Sequence, residues 1–237
     1  MSNEKKVQTM IENGVAQLII LEGKAPEQHN PQPVNIKGVI TAVSDFIEKR
    51  KETFEALKSH CMVSKTEGKI TLVVNEQSVV NKYTVEGKIN IGKKFLELGI
   101  NSGKSYGPSE LSNKLRLMRS IFPSKGEHLT IVNTLKNFIG NINKQIEDLD
   151  DKRGNTTQLF KQTVQSNVPE VFTLNIPLIE GEEPVNIEVA VILEASGSDV
   201  LCYLESVDGA EKIDEITIGL INKEVEKIKE ATTVIFY

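Results

Sequence analysis

The most constraining feature of this sequence is a series of four short apolar runs in its last third. The runs lie at 156–165, 172–179, 185–193 and 200–206, and turns rich in Gly, Pro, Asp and Ser separate them. Consecutive strands joined by short turns pair most simply in antiparallel order. A helical apolar spacing follows over 210–229. The sequence therefore predicts an α+β fold with an antiparallel C-terminal sheet and a closing helix.

Prolines limit how the second of these runs can pair. Pro177 lies inside the run 172–179, and Pro169 and Pro184 stand on either side of it. A proline cannot donate to a strand ladder, so it belongs on an edge or at a break. We therefore expect 172–179 to form an edge strand or to end at Pro177. The apolar residues 234–237 predict one further strand or a docking segment.

The first two thirds of the chain predict helices around a small hairpin sheet. Apolar residues at helical spacing predict helices over 4–21, over 36–57 with Asn35 as N-cap, over 93–98, from Pro108 onward, and from Gly126 to Leu149. Strands are predicted at 61–64, 70–74 and 83–91, with a bulge at Gly87, and the proline-rich stretch 22–33 predicts a loop. We expect a mixed helix and strand region, 1–155, and a sheet-plus-helix region, 156–237, joined in one compact unit.

Charge divides the chain unevenly. The 237 residues carry a net charge of −5, but residues 168–237 alone carry 15 acids and 4 bases, a net charge of −11. Residues 1–167 carry +6, and the segment 82–125 is +6 by itself. Such asymmetry indicates either nucleic-acid contact or two surfaces of one chain that attract each other.

Seven of the nine bases of this segment form the predicted interaction face. Its residues are Lys93, Lys94, Lys104, Lys114, Arg116, Arg119 and Lys125. They could follow phosphates, but aromatic residues make up only 5% of the chain and there is no Trp, which disfavours base stacking. The pattern therefore favours a solvated face, or one that meets the acidic C-terminal region of a neighbouring subunit.

The loop 99–107 contains two near matches to catalytic motifs. Gly103-Lys104-Ser105 is the tail of a phosphate-binding loop, but Leu98 stands where that motif needs its first glycine. Ser105 also satisfies G-x-S-x-G, yet the one downstream histidine is His128, with no Asp between them. The sequence thus predicts no catalytic residue, cofactor site or metal site in this loop.

Other candidates for chemistry have plainer interpretations. Cys61 and Cys202 lie in apolar runs and are expected to be reduced thiols of the core. The histidines His29, His60 and His128 are expected at the surface or in loops, without the spacing of a metal site. The acidic pairs Glu182-Glu183, Glu147-Asp148 and Asp150-Asp151 are expected to be solvated, the first in a turn and the others at a helix end.

The sequence predicts a cytoplasmic protein with no membrane contact. The longest apolar stretch, 15–21, is seven residues and contains Gln17. A bilayer span needs roughly 20 apolar residues. The polar N-terminus leads into no apolar segment of the kind that a secretory signal requires.

Residues 167–181 resemble a "vP-x-x-F-x-l-x-iP-x-f-x-G" signature through Pro169, Phe172, Pro177 and Gly181. This is the signature of the YfdQ-like family of bacteriophage and prophage proteins, in which two more strands and a closing helix follow. The stretch 94–122 is similar in position to a segment of that family. The tryptophans and tyrosines associated with the family are largely missing here. The resemblance implies a phage-encoded relative in the cytoplasm of a bacterial host cell, and it carries no catalytic activity with it.

We therefore expect a non-enzymatic phage or prophage accessory protein without a cofactor. It would act by binding an unidentified protein partner and by self-association as a homo-oligomer. The alternative is a nucleic-acid-handling accessory factor that uses a basic face in residues 82–125. An enzyme acting on a small ligand is the third class, which a deep pocket with converging buried polar groups would favour.

Overall fold

The computed structural model describes residues 34–78, 81–150, 156–196 and 199–237, and for 140–150 and 156–165 it describes the backbone alone. The predicted helix over 4–21, the predicted loop over 22–33 and His29 lie outside the described residues. The strands are β1 Val34–Val39, β2 His60–Ser64, β3 Lys69–Val74, β4 Tyr83–Lys88, β5 Ser105–Tyr106, β6 Gly140–Asp150, β7 Thr156–Ser166, β8 Val171–Ile176, β9 Val185–Ser196, β10 Asp199–Glu205 and β11 Thr233–Phe236. The helices are α1 Ala42–Lys49, α2 Lys93–Leu98, α3 Pro108–Arg116, α4 Lys125–Lys136 and α5 Val207–Lys229, with 3₁₀ turns at Ala56–Lys58 and Arg119–Ile121.

The α+β prediction is confirmed. The strands form a four-stranded antiparallel sheet in the order β5-β10-β9-β8, and α5 follows its last strand. They also form a mixed five-stranded sheet in the order β1-β4-β3-β2-β11 and a separate two-stranded sheet, β6-β7. As the proline argument predicted, β8 is an edge strand and ends at Ile176, directly before Pro177. The predicted C-terminal strand is β11, parallel to β2.

Two hydrophobic cores lie on the two larger sheets. The four-strand core includes Leu111, Leu115, Leu174 and Ile187 and is covered by α2, α3 and α4. The five-strand core includes residues of α1, β2, β3, β4 and the C-terminal half of α5. Ile213 and Ile216 of α5 pack against both cores, so this helix connects them.

A short antiparallel contact joins the two sheets a second time. Ile91 forms a bridge with Ile179, and the Gly92 N–H donates to the Leu178 carbonyl at 2.7 Å. The four-strand core draws residues from both sides of position 155, and so does the five-strand core. The division into 1–155 and 156–237 stays a prediction.

The predicted helix over 36–57 is wrong in its first part and in its last. Ile36 and Val39 belong to β1, an edge strand whose six residues are all exposed and which pairs in parallel with β4. Asn35 is therefore no N-cap; its Oδ1 accepts a hydrogen bond from Thr84 Oγ1 of the neighbouring strand at 2.5 Å. Only the middle of the prediction, α1, is α-helical, and residues 56–57 at its end belong to the 3₁₀ turn Ala56–Lys58.

The long helix predicted from Gly126 to Leu149 is also half wrong. Its first half is α4, which ends at Lys136, and its second half is the strand β6. Glu147, Asp148 and Asp150 therefore lie in a strand and not at a helix end. The backbone of β6 pairs with β7 over its whole length, from Gly140 opposite Ser166 to Asp150 opposite Thr156.

The bulge predicted at Gly87 is absent from β4, where the register with both neighbouring strands is regular. A Cβ atom at Gly87 would lie 2.7 Å from the carbonyl oxygen of Ile40. The glycine therefore permits the chain that leaves β1 to cross closely over the strand. In the described part of the chain, no helix combines the length and the apolar character needed to span a membrane.

Candidate functional site

A cleft of about 700 Å³ lies between α1 and the C-terminal part of α5. Its floor is apolar and its rim is charged. The floor consists of the buried or half-buried lining residues Ile47, Phe54 and Ala231, beside the half-buried Ser44. The rim consists of the exposed lining residues Asp45, Glu48, Lys51, Ala56, Glu226, Lys227 and Glu230. The cleft exists because α1 and α5 both pack on the five-strand core, with Val43 and Ile47 buried on one side and Ile221, Val225 and Ile228 buried on the other.

One carboxylate of α5, that of Glu224, is buried behind the cleft wall. Glu224 is only 2% exposed. It accepts a hydrogen bond from the Ser44 hydroxyl of α1, and the Lys227 ammonium donates to its Oε1 at 2.6 Å. A buried carboxylate is tolerated when it is paired and hydrogen-bonded, as here. Glu224 therefore ties the two helices together at the cleft.

The rim of the cleft is predominantly acidic. Four carboxylates stand on it, those of Asp45 and Glu48 on α1, that of Glu226 on α5 and that of Glu230 at the C-cap of α5, with two lysines. Of the lysines, Lys227 is held by Glu224. Among the described residues Glu48 and Glu230 form no ion pair. No linear sequence motif predicts this cleft. Its lining suits a partner that is cationic and partly apolar.

The cleft continues around the end of α5 into a second, more open depression of about 740 Å³. The two share Ala56, Glu230 and Ala231. Leu57, on the wall of the second depression, is 99% exposed. His60 also lines it, half-buried, with Nδ1 2.5 Å from Glu76 Oε2. The apolar surface of the cleft thus extends outward.

The predicted basic face divides into three parts in the structure. The first is α2, where both lysines are exposed and neutralised within the chain. Lys93 Nζ lies 3.5 Å from Glu180 Oε1, and Lys94 Nζ lies 3.2 Å from Glu97 Oε2. Exposed pairs of this kind contribute little stability, but they reduce the positive potential that α2 presents.

The second part is a pair of lysines at one aromatic ring. Lys104 Nζ lies 5.1 Å from the ring centroid of Tyr106, and Lys114 Nζ lies 5.8 Å from it. The ring itself is buried, and its hydroxyl donates to the Leu98 carbonyl at 2.9 Å. These cation–π contacts fix the two lysines on the protein and leave the ring unable to stack on a base.

The third part is an exposed corner between α3 and the following 3₁₀ turn. We call Arg116, Leu117 and Arg119 the basic corner. Leu117 is 81% exposed, both arginines are exposed, and neither arginine forms an ion pair with another described residue. The corner is rigidly held, because Leu115 and Met118 on either side of Leu117 are buried in the four-strand core. Lys125, the last predicted residue, is exposed at the start of α4.

The loop 99–107 has a structural role that its motifs did not indicate. The Asn101 amide donates to the Ser206 carbonyl and accepts from the Ser206 N–H, both at 2.8 Å. The loop is thereby attached to the N-cap of α5. Ser105 lies opposite Tyr203 in the pairing of β5 with β10. His128 is buried, contrary to prediction, with Nε2 3.2 Å from the Leu115 carbonyl oxygen and its ring 5.0 Å from that of Phe122.

Both cysteines are buried free thiols, as predicted. Burial raises the pKa of Cys61 to about 12 and that of Cys202 to about 11, because a thiolate loses its hydration there. A protonated, buried thiol is a poor nucleophile and metal ligand. The turn acids Glu182 and Glu183 are exposed, which confirms that they are solvated.

The cleft and the basic corner belong to different cores of the same chain. The residues of the cleft are distant in sequence from those of the basic corner. The resemblance of residues 167–181 to the YfdQ-like family stays a prediction. Compared with known protein families, curated proteins and solved structures, the chain shows no match.

Proposed function

We propose that this chain is a non-enzymatic accessory protein that acts by binding protein, including further copies of itself. The observation that carries the proposal is the coexistence of an acidic-rimmed apolar cleft with exposed, unpaired arginines elsewhere on the described surface. Complementary potentials steer association and select partners. The setting that we propose, a phage or prophage protein in the bacterial cytoplasm, is supported only by the resemblance of residues 167–181.

The chemistry of the cleft supports binding in preference to catalysis. Its buried carboxylate, Glu224, is occupied by a hydroxyl and an ammonium group from the protein itself. A general base must be free to accept a proton from a bound molecule. Two rim carboxylates, those of Glu48 and Glu230, are exposed, form no ion pair with another described residue and are suited to ion pairs with a partner. The hydrolase motif gives no support either, since His128 is engaged with Leu115 and Ser105 lies in a sheet.

The test of self-association is the molar mass of the full chain in solution at low and high salt. Light scattering after size exclusion at about 50 mM and about 500 mM salt compares Debye lengths of roughly 14 Å and roughly 4 Å. We expect a mass above that of one chain at low salt, rising with concentration, and a smaller mass at high salt. A monomer at both salt concentrations would contradict the proposal.

A second candidate function, nucleic-acid handling, is favoured by Arg116, Arg119 and Lys125, which are exposed cations. Against it, three of the four aromatic rings of residues 82–125, those of Phe95, Tyr106 and Phe122, are buried, and the fourth, that of Tyr83, is half-buried. Filter binding with single- and double-stranded DNA separates the two functions. We expect no retention at micromolar protein; retention that falls steeply with salt would support the second function instead.

A further inference from the structure

We propose that the basic corner of one copy inserts into the acidic-rimmed cleft of a second copy. This inference rests on the proposed function and specifies which surfaces make the contact. An 81%-exposed leucine on an ordered corner is a large apolar group without a partner in the described part of its own chain. The cleft between α1 and α5 offers an apolar floor of about the same chemistry.

The two surfaces are opposite in charge, and their charged groups are also arranged in a complementary way. In the basic corner, one arginine stands on each side of Leu117 along the chain. In the cleft, carboxylates stand on both sides of the rim, with Glu48 on α1 and Glu230 at the C-cap of α5. A leucine placed on the floor therefore brings both guanidinium groups toward carboxylates. Arginine pairs with carboxylates through two parallel hydrogen bonds, which gives such a contact direction.

Both surfaces are ordered before they meet. The residues on either side of Leu117 are anchored in the four-strand core. The cleft walls are fixed by the buried Glu224, which joins α1 to α5 through Ser44. Association therefore costs little backbone ordering, which favours binding through a small contact. A single leucine with two arginines is at the small end of protein interfaces, so we expect a reversible association.

The contact is heterologous, because the surface on one copy differs from the surface on the next. Two copies joined by one contact leave one corner and one cleft unused between them, so association closes into a ring or continues as a chain. Two copies related by a two-fold axis could not produce this pattern through a single such contact. The arrangement therefore predicts how variants behave in mixtures.

The test uses two charge-reversal variants of the full chain. The corner variant carries Arg116→Glu and Arg119→Glu, and the cleft variant carries Glu48→Lys and Glu230→Lys. We expect sedimentation velocity at low salt to show association about tenfold weaker or more for each variant alone. In an equimolar mixture the arginine corner of the cleft variant meets the acidic cleft of the corner variant, and the glutamate corner of the corner variant meets the lysine cleft of the cleft variant, so we expect association to be restored. A chain with all four reversals should associate again.

Matched controls separate the specific contact from a general effect of charge. Lys37→Glu with Lys136→Glu reverses two exposed bases outside the basic corner, and Glu211→Lys reverses an exposed acid outside the cleft. Leu117→Ser should weaken association, whereas Leu129→Ser, at a leucine 45% exposed on α4, should not. All of these residues are exposed, and circular dichroism checks that each variant is folded.

The outcomes distinguish this inference from the function on which it rests. If the natural chain associates and the corner or cleft variant associates equally well, the insertion of the corner is wrong and self-association stands. The same holds if the mixture of the two variants stays monomeric. If the natural chain is monomeric at both salt concentrations, the proposed self-association fails and the contact fails with it.

Discussion

At the scale of single residues, the two buried thiols make the stability of the protein depend on alkaline pH. In the unfolded chain a cysteine ionises near its ordinary pKa of 9.0, whereas burial raises the pKa of Cys61 to about 12 and of Cys202 to about 11. Between these values the unfolded state loses protons that the folded state keeps. The stabilisation is therefore complete below pH 9 and is lost as the pH rises toward the folded pKa.

This difference predicts a loss of about 1.4 kcal/mol per thiol in the free energy of unfolding between pH 8 and pH 10. Urea titrations of the natural chain and of a Cys61→Ala, Cys202→Ala variant measure it, because tyrosine and lysine ionisation affects both proteins equally. We expect the natural chain to lose more stability than the variant over this interval. Equal losses would show that the thiols ionise equally well in the folded protein.

Gly92 is the residue at which a single added methyl group should matter most. A Cβ atom there would lie 2.0 Å from the Pro177 carbonyl oxygen, at the point where the two sheets are joined. We expect Gly92→Ala to cost about 1–3 kcal/mol through displacement of this backbone contact. Chemical denaturation of the variant and the natural chain measures the change.

Gly107→Ala is the matched control, since Gly92 and Gly107 both precede the first residue of a helix. A Cβ atom at Gly107 would meet no atom within 4 Å. The Gly107→Ala variant should lose only about 0.5–1 kcal/mol of stability, because glycine is modestly preferred over alanine at an N-cap. If the two variants were equally stable, the backbone contact between Gly92 and Pro177 would be looser than the structure indicates.

At the scale of elements, α4 and α5 begin with the same cap but differ in what the cap supports. Ser124 Oγ accepts from the Glu127 N–H at 3.1 Å, and Ser206 Oγ accepts from the Gly209 N–H at 2.9 Å. Ser206 is buried and also donates to the Glu188 carbonyl at 2.6 Å, so its removal leaves a buried acceptor without its partner.

We therefore expect Ser124→Ala to cost about 1 kcal/mol and Ser206→Ala to cost about 2–3 kcal/mol. Thermal and urea unfolding of the two variants gives the comparison directly. The substitutions are chemically identical and differ only in burial and in the second hydrogen bond. Equal losses would mean that the bond to β9 contributes nothing beyond the cap.

Elements whose partners are close in sequence could be predicted, and those with distant partners could not. The hairpin β2-β3 and the succession β8-β9-β10 are joined by short turns, and local signals predict their strands. The strand β1 pairs with β4, which lies beyond α1 and two further strands, and no local signal records that pairing. Its alternation of Val34, Asn35, Ile36 and Lys37 is the one clue to a strand there.

The second half of the predicted helix from Gly126 failed for a different reason. Ile142 and Ile146 are four residues apart, a spacing that fits one face of a helix and also one face of a strand, because four is a multiple of two. The presence of a pairing strand decides whether such a segment forms a strand or a helix. Residues 156–166 supply a full-length antiparallel strand, with Phe160 opposite Ile146 in register.

The candidate site could be predicted only in part. The sequence identifies the bases of the interaction face one by one, but charge counting cannot show that the lysines of α2 pair with Glu97 and Glu180 while the arginines of the corner form no ion pair with a described residue. The cleft combines residues near position 47 with residues near position 228, which approach only because α1 and α5 cover the same sheet. A site formed where two helices distant in sequence pack together has no characteristic residue spacing by which the sequence could reveal it.

At the scale of the whole molecule, the connections between the two cores predict that they unfold together. Ile213 and Ile216 of α5 contact both cores, and the Ile91–Ile179 bridge joins the sheets directly. A substitution in either core should therefore weaken the whole protein. Ile70→Val lies in the five-strand core and Ile187→Val in the four-strand core, and both isoleucines are at most 1% exposed.

Each substitution should cost about 1 kcal/mol. Amide hydrogen exchange under conditions of global unfolding should then speed up about fivefold in both sheets, whichever core carries the change. Ile218→Ala, at a residue 47% exposed on α5, is the control and should leave exchange nearly unchanged. If only the substituted sheet exchanged faster, the two cores would be separate cooperative units. Helix α5 would then link two independently unfolding parts, and the corner and the cleft would sit on bodies of different stability.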